Sequence, residues 1–438
     1  MLVRYSEPVP RRSDEAEAAE GSEPDAAAGS RPEPAYPSAG RRVIAAYRVR
    51  DIARYFYPYT DSTGEDWDRV LRRSIVPLLA ASDSLEYALA VAELVTAFHD
   101  SHVGVSGPGW SAFADGAHAP LGVRVLGGDV VVTGFASDSV RRAMGLEVGD
   151  IILSVDGEPV ADRLRRLARY HSASTPQALS AEVAHGLLGV GAEGSTVNLL
   201  VREARDRVRN VRVGRTTRNW WLAFRDRLDQ PVVRRFGEDI GYIDLTRLGR
   251  EEVDSAFARL ADTREIVFDM RGYPRGTAWA IAPRLATRDS IVHARGWTPI
   301  VASPDTGATG RRDTLLHLPA REGAPPYHGA TVMLIDERAV SQAEYSGMMF
   351  RAANGTRFVG TPTAGANGDV TDLSLPGRLR VSFTGTGIEF PDGSKLQRRG
   401  LRPDVYVEPT PAGLRAGRDE ALERALELLR AEDEGSGR

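Results

Sequence analysis

Cysteine is absent from all 438 residues. Disulfides, thiolate metal sites, iron–sulfur clusters and a cysteine nucleophile are therefore excluded. Lysine is almost absent too: Lys395 is the only one among 56 basic residues. A mechanism that needs a catalytic lysine has one candidate. Neither charge sign dominates, with 56 basic against 60 acidic residues and a net charge of −4. That balance leaves no electrostatic footprint for nucleic acid or a membrane surface as partner. No apolar run approaches a bilayer-spanning length, and the opening MLVRYSEPVPRR lacks the apolar stretch of a signal peptide. The expected location is cytoplasmic. What is present, 42% hydrophobic and 26% charged residues, is ordinary globular composition, and the length predicts roughly two to three domains.

The texture changes four times along the chain. Residues 1–40 read as a disordered leader, because Ala, Glu, Pro, Ser and Gly dominate from 11 onward and cannot bury enough surface to offset ordering entropy. Residues 41–106 carry apolar side chains at helical spacing. Asp66 or Ser62 is placed to cap one helix, and Ser84 with Glu86 opens another that runs toward His99 and His102. Residues 107–215 are β-rich. LGVRVLGGDVVVTGF reads as two strands about a Gly-Gly turn, GLEVGDIILSVDGEPV as a strand pair, and STVNLLVRE and RNVRVGRT as closing strands after a helical insertion. In 216–412 strands and helices alternate (DIGYIDL, EEVDSAFARLAD, EIVFDMRG, TAWAIAPRLA, ATVMLIDE, AEYSGMMFRAA, RFVGTPT), which predicts a mostly parallel sheet covered by helices. Residues 413–438 hold a charged, Leu-spaced helix and a tail.

In VMLIDERAVSQAEYSGMMF a buried strand ends at Asp336 and Ser341 opens a helix. Unpaired first-turn N–H groups and the helix dipole favour a nucleophile whose attack creates an oxyanion. The N–H of Gln342 is a natural donor to it. Read locally, Ser341 with Glu344 fits a capping box well, and on the local sequence alone that plain N-cap reading is the favoured one. A serine needs a base, and His102 in AFHDSHVGV, with Ser101 as orienting or relay group, can supply it. Against this stand a plain surface histidine and a metal site of His99, Asp100 and His102, for which no further ligand is evident. The glycines of DMRGYPRG and GTPTAGANG allow close backbone approach, so an N–H in the first could be a second oxyanion donor; a plain turn is the alternative.

Together, from about residue 50 to 410 and in order, these segments resemble the tail-specific and tricorn-like serine peptidases, the carboxyl-terminal processing peptidases. YFYPYTDSTGEDWD with HDSHV is similar to the family's helical lead-in, GLEVGDIILSVDGEPV to the core of a PDZ-like module, and DMRGYPRG to its oxyanion loop. AVSQAEYSG is similar to its nucleophile segment, and GTPTAGANG and FPDGSKLQRRGLRPDVYVEPT to its closing segments. The resemblance implies an α/β fold with a crotonase/ClpP-like catalytic core, an N-terminal helical region and a PDZ-like β-rich module. It implies Ser341 as nucleophile, His102 as base, Ser101 as relay, Gln342 and Gly276 (or Gly272) as oxyanion donors, and no metal or cofactor. Ala366 stands where Ser–Lys members have their lysine, and Lys395 does not match, so the resemblance points to Ser-His chemistry. Gln397 stands where tricorn-like members place a glutamate, and cannot stabilise an imidazolium by charge.

The expected function is a serine endopeptidase acting on peptides or unfolded protein tails, with the PDZ-like module holding an extended chain end and APLGV as its carboxylate loop. A homo-oligomer is compatible with it. Two other readings remain open: a weak or inactive member serving as a peptide or small-ligand binding module, and the same acyl chemistry on an ester or natural-product peptide.

Overall fold

The computed structural model describes residues 33–216, 230–303, 308–323 and 325–436. Most of the expected leader lies outside the described residues. Its end does not: the Tyr36 hydroxyl donates to the Ala81 carbonyl at 2.6 Å, and Glu33 accepts from the Gly377 N–H at 3.2 Å.

The helical lead-in comprises α1 (Ala39–Tyr55), α2 (Thr60–Thr63), α3 (Trp67–Ala80) and α4 (Ser84–Val95), followed by β1 (Gly104–Ser106) and α5 (Pro108–Ala114). Asp66 caps α3 through the N–H groups of Asp68 and Arg69. The cap of α4 is Asp83, which accepts from the Glu86 N–H, and Ser84 is the first helical residue, so the helix opens where SDSLEYAL places it. After α4 a short 3-10 turn ends at His99 in the left-handed region, with φ 50°. The chain reverses there and presents Asp100, Ser101 and His102 just before β1.

The β-rich segment comprises β2 (Leu121–Leu126), β3 (Asp129–Phe135), α6 (Asp138–Met144), β4 (Ile151–Val155) and β5 (Glu158–Pro159). It continues with α7 (Val160–Ala168), α8 (Pro176–Gly186), β6 (Thr196–Arg202) and β7 (Val208–Gly214). Its sheet is antiparallel in the order β2-β3-β4-β6-β7, with β5 on β4, so β2 is an edge strand beside α8. Gly127 and Gly128, at φ 57° and 90°, make the β2–β3 turn expected of Gly-Gly.

The core comprises β8 (Val233–Phe236), β9 (Ile240–Asp244), α9 (Val253–Arg259), β10 (Glu265–Asp269), α10 (Ala278–Leu285), β11 (Val292–Ser303) and β12 (Ala308–His317). It continues with β13 (Ala330–Ile335), α11 (Gln342–Asn354), β14 (Arg357–Gly360), β15 (Val370–Leu375), β16 (Leu379–Thr384), β17 (Gly387–Glu389) and β18 (Val405–Tyr406), and ends in α12 (Pro411–Arg415) and α13 (Glu420–Ser436). The central sheet runs β18-β14-β13-β10-β9-β8, parallel except for β8. Strand alternation divides its side chains between two cores. Ile243, Ile266, Phe268, Met333 and Ile335 face a core shared with α9, α10 and α11; Tyr242, Val267, Val332, Leu334 and Val359 pack with Leu422, Ala425 and Leu429 of α13. Burial on both faces explains why these strands read as continuous apolar runs.

Two smaller sheets are insertions into the α/β order. β12-β11-β17 is one. The other, β1-β16-β15, joins the helical lead-in to the core, because β1 pairs antiparallel with β16. Leu375, Leu379, Val381 and Phe383 complete the helical core around Trp67, Tyr87 and Phe98. This pairing carries the histidine turn to the core.

Candidate active site

Ser341 lies at the mouth of α11, just past the end of the central strand β13. Its backbone is at φ 56°, ψ −115°. That positive φ is a strained state for a residue with a Cβ and is not the usual cap conformation. The surrounding loops hold it. The Ser341 N–H donates to the Ala366 carbonyl at 2.8 Å and to Glu344 Oε2 at 3.3 Å. Glu344 is fully buried and also accepts from the Thr363 hydroxyl (2.5 Å) and from the N–H groups of Gly365 (2.7 Å) and Ala366 (3.0 Å). Burial pushes its carboxyl up to about 8, against the pull of those donors. Glu344 is thus a brace between the Ser341 turn and loop 363–366, beyond the cap read from Ser-x-x-Glu.

The oxyanion candidates are brought together. The Gly276 N–H donates to the side-chain oxygen of Gln342 at 3.1 Å, and Gly276 has φ 70°. The Gly272 N–H instead donates to the Met270 carbonyl at 2.8 Å. The loop between them is anchored by Arg271, which is buried against Asp269 (2.6 Å) and Asp419 (2.7 Å).

His102 is held from two sides by β16. Ser382 Oγ donates to the His102 carbonyl (2.9 Å) and accepts from the Gly104 N–H (3.1 Å), and Thr384 Oγ1 lies 2.9 Å from His102 Nδ1. Thr384 also donates to Asp100 Oδ2 at 2.5 Å, and Asp100 Oδ1 accepts from the His102 N–H at 3.0 Å. Thr384 and Asp100 are both fully buried. His102 Nε2 is buried and has no hydrogen-bond partner, the Ser341 hydroxyl included. A cavity of about 260 Å³ adjoins His102, walled by Trp110, Tyr170, His171 and Glu182.

Ser101 and Gln397 are nearby but do not contact the imidazole. Ser101 and Ser174 exchange two hydrogen bonds of 3.0 Å, backbone N–H to hydroxyl in each direction. Gln397 is buried; its Oε1 accepts from the Asn367 N–H at 3.3 Å, and its Nε2 reaches Ser174 Oγ at 3.4 Å. The His102 turn and the Ser341 turn are therefore joined through Ser101, Ser174, Gln397 and the loop of Ala366 and Asn367. Ala366 is buried, and Lys395 Nζ donates to Ser62 Oγ on the exposed surface at 2.9 Å. His99 Nε2 faces Glu65 at 3.2 Å, apart from the bonds of His102. Among the described residues, no group of three or more His, Asp or Glu is placed to hold a metal ion.

Sequence reasoning missed Thr384 altogether and offered Asp100 only as a metal ligand. RVSFTGTG contains no signal that its last strand residue meets a histidine far earlier in the chain; the register of β1 on β16 makes that contact.

Residues 239–407 match the model of peptidase family S41. No curated protein matches the chain. Among solved structures, mature CPAF complexed with lactacystin is similar with TM-score 0.69 at 16% identity, covering 89% of this chain and 98% of that one. The photosystem II D1 C-terminal processing protease is similar with TM-score 0.50 at 16% identity, covering 87% and 98%. At such identity these likenesses speak for the fold. Among the described residues no helix is long and apolar enough to cross a membrane. The α/β core of this chain thus carries the match to peptidase family S41, and the chain shares its fold with mature CPAF and the photosystem II D1 C-terminal processing protease.

Proposed function

We propose that the chain is a serine endopeptidase that cleaves peptides or unfolded protein tails through an acyl-enzyme, using Ser-His and not Ser-Lys chemistry. Ser341 Oγ attacks the scissile carbonyl carbon while its proton passes to His102 Nε2. The tetrahedral oxyanion takes N–H donors from Gln342 and Gly276, the latter exchanging the Gln342 side chain for substrate oxygen. Collapse expels the amine, which leaves with the proton held by His102. Water then hydrolyses the ester by the same steps in reverse order.

The observation that carries this reading is the nucleophile turn: a serine at positive φ, at the end of a central parallel strand and the start of a core helix, inside a domain matched to a peptidase family. The Ser-His choice is supported by Ala366 at the lysine's place and by Lys395 lying on Ser62. The division into leader, helical region, PDZ-like module, crotonase/ClpP-like core and tail belongs to the same proposal. It is supported by the edge strand β2 beside α8, with a cavity of about 420 Å³ between them that reaches Glu337 and Thr361 of the core. Strand addition there would hold an extended chain end.

A fluorophosphonate probe, with mass-spectrometric mapping, is expected to label Ser341. S341A is expected to lose labelling and cleavage of an unfolded protein substrate while keeping its melting temperature. Cleavage retained by S341A would overturn the assignment. One observation favours a second reading, a weak or inactive member that binds peptides: the Gly276 N–H is occupied by Gln342. Absence of labelling, with peptide still bound by a folded wild-type chain, would establish it.

A further inference from the structure

We infer that Thr384 and Asp100 are positioning residues that fix His102 in the tautomer needed by a general base. This rests on the assignment of Ser341 and His102 above.

A hydroxyl has one proton and two acceptor sites. Thr384 Oγ1 has two polar neighbours, Asp100 Oδ2 at 2.5 Å and His102 Nδ1 at 2.9 Å. An aspartate carboxylate can only accept, and its other oxygen already takes the His102 N–H. The Thr384 proton therefore points to Asp100, and Thr384 can only accept from the ring. Nδ1 must carry the imidazole proton, which leaves Nε2 a bare lone pair. Nε2 is also the ring nitrogen left buried and unpartnered. A buried polar atom without a partner is costly and is tolerated where function requires it.

The arrangement is built into β16. Ser382 and Thr384 are two residues apart on a strand and so share a face. One grips the histidine backbone and the other its ring. Gln397, the residue at the expected acid position, has its carboxamide on Asn367 and Ser174. The acceptor behind the imidazole is instead the Asp100 carboxylate, one hydroxyl removed. As the ring takes the serine proton at Nε2, the Nδ1–H···Oγ–H···carboxylate chain polarises toward the new positive charge. No proton leaves Nδ1.

The test reads the tautomer directly, by nitrogen NMR of the full chain with isotope-labelled histidine, His102 being assigned by its loss in H102Q. The expected result at neutral pH is a protonated Nδ1 and an unprotonated Nε2. T384V, which keeps the shape and removes the hydroxyl, is expected to lose that preference and to lower kcat about a hundredfold with KM unchanged, the lower end of what a correctly positioned general base contributes. T384S keeps the hydroxyl and is expected to restore kcat to within a few-fold. D100N offers an amide donor to Thr384, turns the hydroxyl around, and is expected to shift the proton to Nε2. A wild-type Nε2–H tautomer, or T384V with unchanged kcat, would overturn the inference. If T384V does not fold, the wild-type tautomer and T384S decide. If the wild type neither labels nor cleaves, the peptidase reading fails while the NMR result still decides this one.

Discussion

At the scale of single residues, the side chain following Ser341 occupies ground that a substrate would need under the proposed mechanism. Gln342 Oε1 accepts from Gly276 N–H at 3.1 Å, as a carbonyl oxygen of a substrate would. Displacing it breaks one neutral hydrogen bond before the new one forms. Q342A removes the competitor and keeps the backbone N–H of residue 342. Its kcat/KM on a short peptide is expected to rise roughly fivefold, the rate equivalent of about 1 kcal/mol for such a bond. A fall in kcat/KM would mean that the contact orients the Gly276 loop instead. The local pattern at this scale tells part of the story: Ser-x-x-Glu does place Glu344 on the Ser341 N–H, but the carboxyl also ties down Thr363, Gly365 and Ala366, contacts that no local pattern encodes.

At the scale of elements, the loop after β10 is fastened to the start of α13. Arg271 bridges Asp269, which is fully buried, and Asp419; Asp269 also accepts from the Tyr242 hydroxyl at 2.9 Å. Removing the guanidinium takes the Arg271 ion pair away from a buried carboxylate. R271M is therefore expected to destabilise the protein by about 3 kcal/mol, read as a lower denaturant midpoint; an unchanged midpoint would show that Asp269 needs no cation. The strands flanking this loop were legible because they are buried on both faces and read as unbroken apolar runs, as in EIVFD and ATVMLI. The β15–β16 hairpin was not. Val370 is half exposed and β15 is mostly solvent-facing, so TDLSL shows little hydrophobic pattern, and its value to the fold lies in pairing with a strand from the other end of the chain. Both catalytic candidates stood out as residue types in suggestive turns. Their supports, Thr384 and loop 363–366, could not, since hydrogen bonds between distant segments leave no mark in either segment.

For the whole molecule, two buried titratable groups give opposite pH dependences, one in the first turn of α11 and one packed against it. Burial raises Glu344 to about 8 from 4.5 and lowers His293 to about 4 from 6.5. His293 packs edge-on to Tyr345, with both ring nitrogens unpartnered. Between pH 4.5 and 8 the folded chain holds a proton on Glu344 that the unfolded chain has released, so that contribution to stability is full below 4.5 and disappears as pH rises toward 8. Between pH 6.5 and 4 the unfolded chain protonates its histidine first, so that contribution is full above 6.5 and disappears as pH falls toward 4. Each effect is on the order of 3 kcal/mol. From 4.5 to 6.5 the two slopes oppose, and the Glu344 slope stands alone above 6.5. Relative to wild type, H293L is expected to gain stability steadily as pH falls from 6.5 to 4.5, and E344Q to lose the decline between 6.5 and 8. Denaturant midpoints across this range, taken as differences between variant and wild type so that other titrating groups cancel, test both. An E344Q difference that is flat with pH would mean that its four donors keep Glu344 ionised, and that loop 363–366 is held by a charge in place of a neutral acid.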